Sequence, residues 1–197
     1  MTNVLLLRHA SHDWLSRGIA GRLPCVGLNA QGQREAGELA VRLRAIAIDA
    51  IYCSPQQRAR ETVAPLAHER RLAVRREDAF DEIDFGEWTG LSFAQLRADE
   101  ARWRQWIEQR SIAAPPGGES FAQVQQRAMA GIDRLARLHP KGSVLVVSHG
   151  DVIKAVLADI LGLSLDHMER FEIAPSSLSA VAIGPGWRQV KLVNGLA

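Results

Sequence analysis

Short apolar stretches alternate along the chain with segments that carry a one-sided apolar stripe. Val4–Leu7, Ile48–Tyr52 and Ser143–Val147 are largely apolar, without a polar residue at every second position. Such stretches fit strands covered on both faces, as in a parallel sheet. From Gln31 to Ala47 the apolar positions fall at helical spacing, with Ala36, Leu39, Ala40, Leu43 and Ala47 in one stripe. Three later segments open on Ser-x-x-Gln, a helix-start pattern: Ser54 to Gln57, Ser92 to Gln95 and Ser120 to Gln123. Pro55 suits a first helical position. The third segment predicts a helix with Phe121, Val124, Ala128, Ile132 and Leu135 on one face, ending before Pro140. A further helix is predicted over Asp151–Leu161. Leu178–Ile183 and Arg188–Val193 flank Gly184-Pro185-Gly186 and predict two strands joined by a turn. Strands alternating with helices predict an α/β sandwich.

Composition narrows this picture. At 197 residues, one domain over 1–197 is expected, since domains run to roughly 100–200 residues. Apolar residues at 47% and charged residues at 23% exclude a disordered or fibrous chain. The purely aliphatic runs Val4–Leu7 and Val144–Val147 are far shorter than the roughly 20 residues that span a bilayer. Met1-Thr2-Asn3 carries no basic residue and Arg8 closes the first apolar run, so a signal peptide is not expected. Cys25 and Cys53 are too few for a disulfide framework or a four-thiolate zinc site. A cytoplasmic location and no membrane partner are expected. Net charge is +2, and no basic stripe interleaved with aromatics marks a nucleic-acid partner. Ala113–Gly118 reads as a loop rather than a linker. The oligomeric state is not readable, and a homodimer is compatible with everything above.

In α/β sheets, ligands bind beyond the carboxyl ends of the strands. The first stretch runs into Arg8-His9, the second into Cys53-Ser54-Pro55 with Arg58 one turn into the next helix, and the third into Ser148-His149-Gly150. Two imidazoles and two guanidiniums at one sheet edge suit a multiply charged oxyanion, phosphate above all. Arginine grips its oxygens in a planar fork, and helix N-termini after Ser54 and Gly150 add amide donors. A neutral imidazole can attack phosphorus. The leaving oxygen then needs an acid. Phe80–Gly90 supplies Asp81, Glu82, Asp84 and Glu87 beside aromatics and glycines; spacing alone does not choose among them.

Five motifs stand in one order: Leu7-Arg8-His9, Ser54-Pro55-x-x-Arg58-Ala59-x-x-Thr62, Glu82-x-x-x-Gly86-x-Trp88-x-Gly90, Gly118-Glu119-Ser120 and Ser148-His149-Gly150. Together they resemble the histidine phosphatase superfamily, the phosphoglycerate mutase-like proteins, over nearly the whole chain. The resemblance implies a three-layer α/β/α sandwich around a mostly parallel sheet with one antiparallel edge strand. It implies that His9 is the nucleophile and forms a phosphohistidine, and that Arg8, Arg58 and His149 bind the phosphate. It implies that Glu82 is the acid for the leaving group and then the base for water. Gly21-Arg22-Leu23-Pro24 resembles the family's substrate-facing loop, so Gly21 and Arg22 are candidates for substrate contact. The implied activity is that of a metal-independent phosphomonoesterase without a cofactor, acting on a small phosphorylated metabolite. A phosphomutase is the nearest alternative, although mutases of this type are typically longer. A non-catalytic phospho-ligand binder is the alternative from another class.

The chain departs from the family pattern after the first strand. Arg-His-Gly-x-Thr-x-x-Asn becomes Arg8-His9-Ala10-Ser11-His12-Asp13-Trp14-Leu15. Leu15 cannot lend the side-chain donor that the asparagine offers a phosphoryl group. Either Ser11 or His12 takes over, or phosphate binds more weakly. Ser148 lacks a Gly-x-Ser-x-Gly elbow, which argues against a serine nucleophile. His9, His12 and His149 as metal ligands are disfavoured by the neighbouring arginines. Trp103 and Trp106 read as helix packing or as a cap on the site.

Overall fold

The computed structural model describes residues 1–196. Six strands form one sheet in the order β3-β2-β4-β1-β5-β6. They are β1 (Thr2–Arg8), β2 (Ala50–Cys53), β3 (Val74–Arg76), β4 (Ser143–Ser148), β5 (Ser177–Gly184) and β6 (Trp187–Leu196). β1, β2, β3 and β4 run parallel. β5 pairs antiparallel with both β1 and β6, which gives the sheet its antiparallel margin. The turn of this hairpin rests on Pro185-Gly186, with Gly186 at φ +74°.

Helices α1 (Ala30–Arg42) and α2 (Gln57–Arg70) cover one face of the sheet, and α5 (Phe121–Leu138) and α6 (Gly150–Leu161) cover the other. Two short helices, α3 (Phe93–Ala98) and α4 (Glu100–Glu108), lie in the long connection between β3 and α5. Successive strand residues feed opposite cores. Leu5, Leu7, Leu145 and Val147 pack with Leu39, Leu43 and Val63 under α1 and α2. Val4, Leu6, Val144 and Val146 pack with Phe80, Val124 and Ile132 on the other side. Burial on both faces is the reason that these strands are apolar throughout.

The helix signals resolve unequally. Ser92 and Ser120 both form complete capping boxes with Gln95 and Gln123. Ser54 does not: α2 starts at Gln57 with Gln56 as its cap, without a side-chain cap bond. The Ser54 hydroxyl is taken instead by Asp81 and His149. α1 begins after Asn29, whose side chain accepts from the Gly32 amide at 2.9 Å, and gives way to a 3-10 turn at Leu43–Ala45. Among the described residues no helix is long and apolar enough to cross a membrane.

Candidate active site

Register builds the site. Arg8 lies opposite Ser148 and Cys53 lies opposite Val147, so β1 and β4 end level and β2 ends one residue earlier. The next residues along each, His9, His149 and Ser54, therefore emerge side by side at the carboxyl edge. The chain leaves β1 toward β2 and leaves β4 toward β5, in opposite directions, and a crevice opens at such a switch point. It is part of a cavity of about 470 Å³ lined by Arg8, His9, His12, Arg58 and Glu82 at this end.

His9 is 2% exposed. Its Nδ1 lies 2.8 Å from the Ala10 carbonyl, which only accepts, so Nδ1 carries the proton and Nε2 keeps a lone pair. Ala10 has no left-handed φ, so the family's glycine is not needed here. The Ala10 amide donates to Thr62 Oγ1 at 2.8 Å, and Thr62 Oγ1 donates to the Arg58 carbonyl at 2.7 Å. The loop that carries His9 is thus pinned to the helix that carries Arg58.

Arg58 is 1% exposed. Its Nη2 donates to the Gly21 carbonyl at 2.9 Å and lies 3.4 Å from Glu82 Oε2 and 3.3 Å from His149 Nδ1. Its Nε and Nη1 are buried without partners. Arg8 donates through Nη1 to the Ile173 carbonyl. Gly150 leaves room for it: a Cβ there would lie 3.2 Å from the Arg8 Cζ.

His149 is fully buried. Ser54 Oγ donates to Asp81 Oδ1 at 3.1 Å and so accepts from His149 Nε2–H at 2.8 Å. This relay fixes the tautomer and leaves Nδ1 facing Arg58 and Glu82 Oε2, the latter at 3.3 Å. Burial first, then the mutual repulsion of the two imidazoles and of Arg58 and Arg8, holds His9 well below the usual histidine range. Burial and the same two arginines do the same to His149. Both rings are therefore neutral near pH 7.

Of the four carboxylates in the Phe80–Gly90 segment, only Glu82 lines the cavity. Asp84 caps the Gly86 amide and Glu87 is exposed. The Glu82 loop is held by the glycine motif that follows it. Gly86, at φ +50°, and Gly118 let two backbones touch, since a Cβ on Gly86 would sit 2.1 Å from the Pro116 carbonyl oxygen. Glu119 accepts from the Asp84 amide at 2.9 Å and pairs with Arg127, which donates to the carbonyls of Ala79, Asp81 and Glu82. Gly21 lines the cavity, but Arg22 does not. Its guanidinium pairs with Asp81, Asp84 and Glu119 and donates to the Glu82 carbonyl at 2.8 Å. Arg22, expected to contact substrate, is engaged in these contacts and braces the Glu82 loop.

Trp103 and Trp106 pack against neighbouring aromatic rings and also face the cavity. Trp106 stacks on Phe121 at 4.8 Å, and both tryptophans line the cavity. The cavity is also lined by residues that the sequence reasoning missed: Arg110, Asp151, Lys154, Glu169 and Glu172. Glu169 neutralises Arg110 and Lys154 at 2.8 and 3.0 Å. Lys154, set among the apolar residues of Val152–Ala158 and one of only three lysines, was the available signal. One oxygen or nitrogen from each of His9, Glu82 and His149 lies within 4.8 Å of the others, a donor set that could hold a cation. His12 is not part of that set. Arg58 competes with any such ion for Glu82.

Residues 4–195 match the family described as the histidine phosphatase superfamily (branch 1). Bifunctional protein Rv2228c of Mycobacterium tuberculosis is 39% identical over 98% of this chain, which spans 54% of that protein, about half its length. Phosphoserine phosphatase 1 of Hydrogenobacter thermophilus is 30% identical over 92% of this chain and 86% of its own. Among solved structures, Bacillus stearothermophilus YhfR superposes with a TM-score of 0.94 at 28% identity, covering 100% of this chain and 98% of its own. Proteins named as phosphatases and as probable phosphoglycerate mutases both occur among the relatives.

Proposed function

The chain belongs to the histidine phosphatase superfamily, and on that premise we propose that it is a metal-independent phosphomonoesterase that hydrolyses a small phosphorylated metabolite through a phosphohistidine on His9. One observation carries the reading. A buried, neutral imidazole with its proton fixed on Nδ1 turns a lone pair on Nε2 toward a pocket of two guanidiniums and a second imidazole.

Arg8 and Arg58 take the phosphoryl oxygens, and His149 joins them through Nδ1 once that atom gains a proton from solvent as the phosphate dianion enters beside it. The unpartnered Nε and Nη1 of Arg58 mark a guanidinium whose donors are not used up by the fold. His9 Nε2 attacks phosphorus, the bond to the ester oxygen breaks, and protonated Glu82 gives its proton to that oxygen. The alcohol leaves. Glu82, now a carboxylate, takes a proton from water, and the hydroxide displaces His9 from phosphorus. Inorganic phosphate forms, and the enzyme returns to its starting protonation. The cations neutralise the charge that gathers on the equatorial oxygens, commonly the largest part of such catalysis.

Beyond the phosphate end, the cavity offers room for a leaving group larger than a phosphoryl group, walled by Trp14, Phe93, Trp103 and Trp106. A phosphomutase would differ only in the acceptor, with the phosphoryl group returning to an isomer of the substrate. The test is a screen over sugar phosphates, nucleotides and cofactor-precursor phosphates with analysis of products. Release of free phosphate supports hydrolysis. An isomerised ester points to the mutase, and phosphate-ester binding without turnover points to a binder.

A further inference from the structure

His12 is 5% exposed, yet its side chain makes no hydrogen bond to any described residue. Its Nδ1 is fully buried and unpartnered. Buried polar side chains nearly always find a partner in the fold, whereas neither ring nitrogen of His12 has one among the described residues, and Nε2, unlike Nδ1, is not sealed from the cavity that the ring lines. The ring lies 5.0 Å from that of His9, centroid to centroid, and lines the same cavity as Arg58 and Glu82.

The loop beneath His12 is fixed. Gly32 packs so closely that a Cβ there would lie 2.0 Å from the Ser11 carbonyl oxygen, and that oxygen accepts from the Asn29 amide at 3.2 Å. Ser11 is spent, because its amide and hydroxyl donate to the two Glu35 oxygens at 2.9 and 2.8 Å. Of the two replacements open for the missing asparagine donor, only His12 is free.

The donor atom follows from burial. An N–H sealed without an acceptor is rarer in proteins than a sealed lone pair, so the proton belongs on Nε2. Burial, followed by the field of Arg58, pulls the ring's pKa down to about 4, and the ring stays neutral with that one N–H. With Nδ1 sealed, only the cavity can hold an acceptor for Nε2.

We propose that His12 is a further phosphate-binding residue, its Nε2–H donating to an oxygen of the phosphoryl group held by Arg8, Arg58 and His149, the contact that Leu15 cannot make. The proposal deepens the phosphatase reading and rests on it for the group being transferred.

The test reads phosphate binding apart from turnover. His12→Leu removes the donor and keeps apolar bulk. Inorganic phosphate affinity by calorimetry and vanadate inhibition should both weaken by roughly 10–100-fold, the range for losing one hydrogen bond to a charged acceptor. kcat/KM should fall comparably for p-nitrophenyl phosphate and for an alkyl phosphate. His12→Gln, which keeps an N–H, should recover part of the loss, and Leu15→Asn added to His12→Leu should recover about tenfold. A folded His12→Leu protein whose phosphate and vanadate affinities stay within about twofold of wild type overturns the proposal. So does a loss confined to esters, which would make His12 a leaving-group contact. If His12→Leu does not fold, His12→Phe carries the same test in a ring of similar shape. Trapping phosphohistidine on wild type separates the two claims. Without it the covalent mechanism fails, while a His12-dependent phosphate affinity still stands; with it, an indifferent His12 variant fails alone.

Discussion

Replacing Arg58 by lysine keeps the charge and removes the planar fork. The guanidinium is 1% exposed and does several things from one place: Nη2 donates to the Gly21 carbonyl at 2.9 Å and faces Glu82 and His149 at 3.4 and 3.3 Å. Nε and Nη1 remain for phosphate oxygens. A single ammonium cannot hold the Gly21 carbonyl and a bidentate oxyanion together. At least one hydrogen bond to a charged acceptor is lost, worth about 1.5–3 kcal/mol. At roughly 1.4 kcal/mol per factor of ten, kcat/KM should fall about 10–150-fold. The assay is steady-state hydrolysis of p-nitrophenyl phosphate beside vanadate inhibition, and both should weaken together. A change below about twofold in a folded protein would refute the reasoning, since less than 0.5 kcal/mol is not the loss of such a contact.

Three further outcomes follow from the same geometry. Glu82→Gln keeps the shape and removes the proton: turnover of alkyl phosphates should drop by about 100-fold or more, while the phosphorylation burst with p-nitrophenyl phosphate, whose leaving group needs little protonation, suffers much less; equal slowing of phosphorylation by both would exclude Glu82 as the leaving-group acid. Enzyme treated with EDTA should keep its activity, because Arg8, Arg58 and the imidazoles face the phosphate; loss that zinc or magnesium restores would instead assign a cation to His9, Glu82 and His149. Because burial lowers the pKa of His9, His12 and His149 in the folded protein, the unfolded chain binds more protons below its own histidine range. Stability should therefore fall as pH drops below about 6.5, by roughly 1.4 kcal/mol per pH unit for each imidazole; urea unfolding at pH 7 and pH 5 with equal midpoints would contradict this.

The strand ends were legible because the run from Val4 to His9 and the run from Val144 to His149 have the same length and the same apolar character. Equal register puts both histidines at one edge. From the residues alone Glu82 was legible only as one of four carboxylates, and the family resemblance singled it out; that it alone of the four lines the cavity depends on tertiary packing. The ion pairs of Arg22 were not legible, because a cation in a loop looks alike in sequence whether or not it meets three carboxylates distant from it. Ser54 misled. Its helix-start pattern with Gln57 is genuine in sequence, but a buried histidine and Asp81 compete for the hydroxyl and win. The charged cluster of Arg110, Lys154 and Glu169 in the cavity wall was invisible because these residues meet only through tertiary packing of separate elements.

The central claim is a covalent bond between phosphorus and His9. Wild-type enzyme quenched during turnover of a labelled ester should carry an acid-labile, base-stable phosphoryl group on the peptide containing His9. His9→Ala should carry none and should lose several orders of magnitude in turnover while remaining folded, because the covalent route is gone. A His9→Ala protein with near-normal activity, or label recovered on any other residue, would contradict the account.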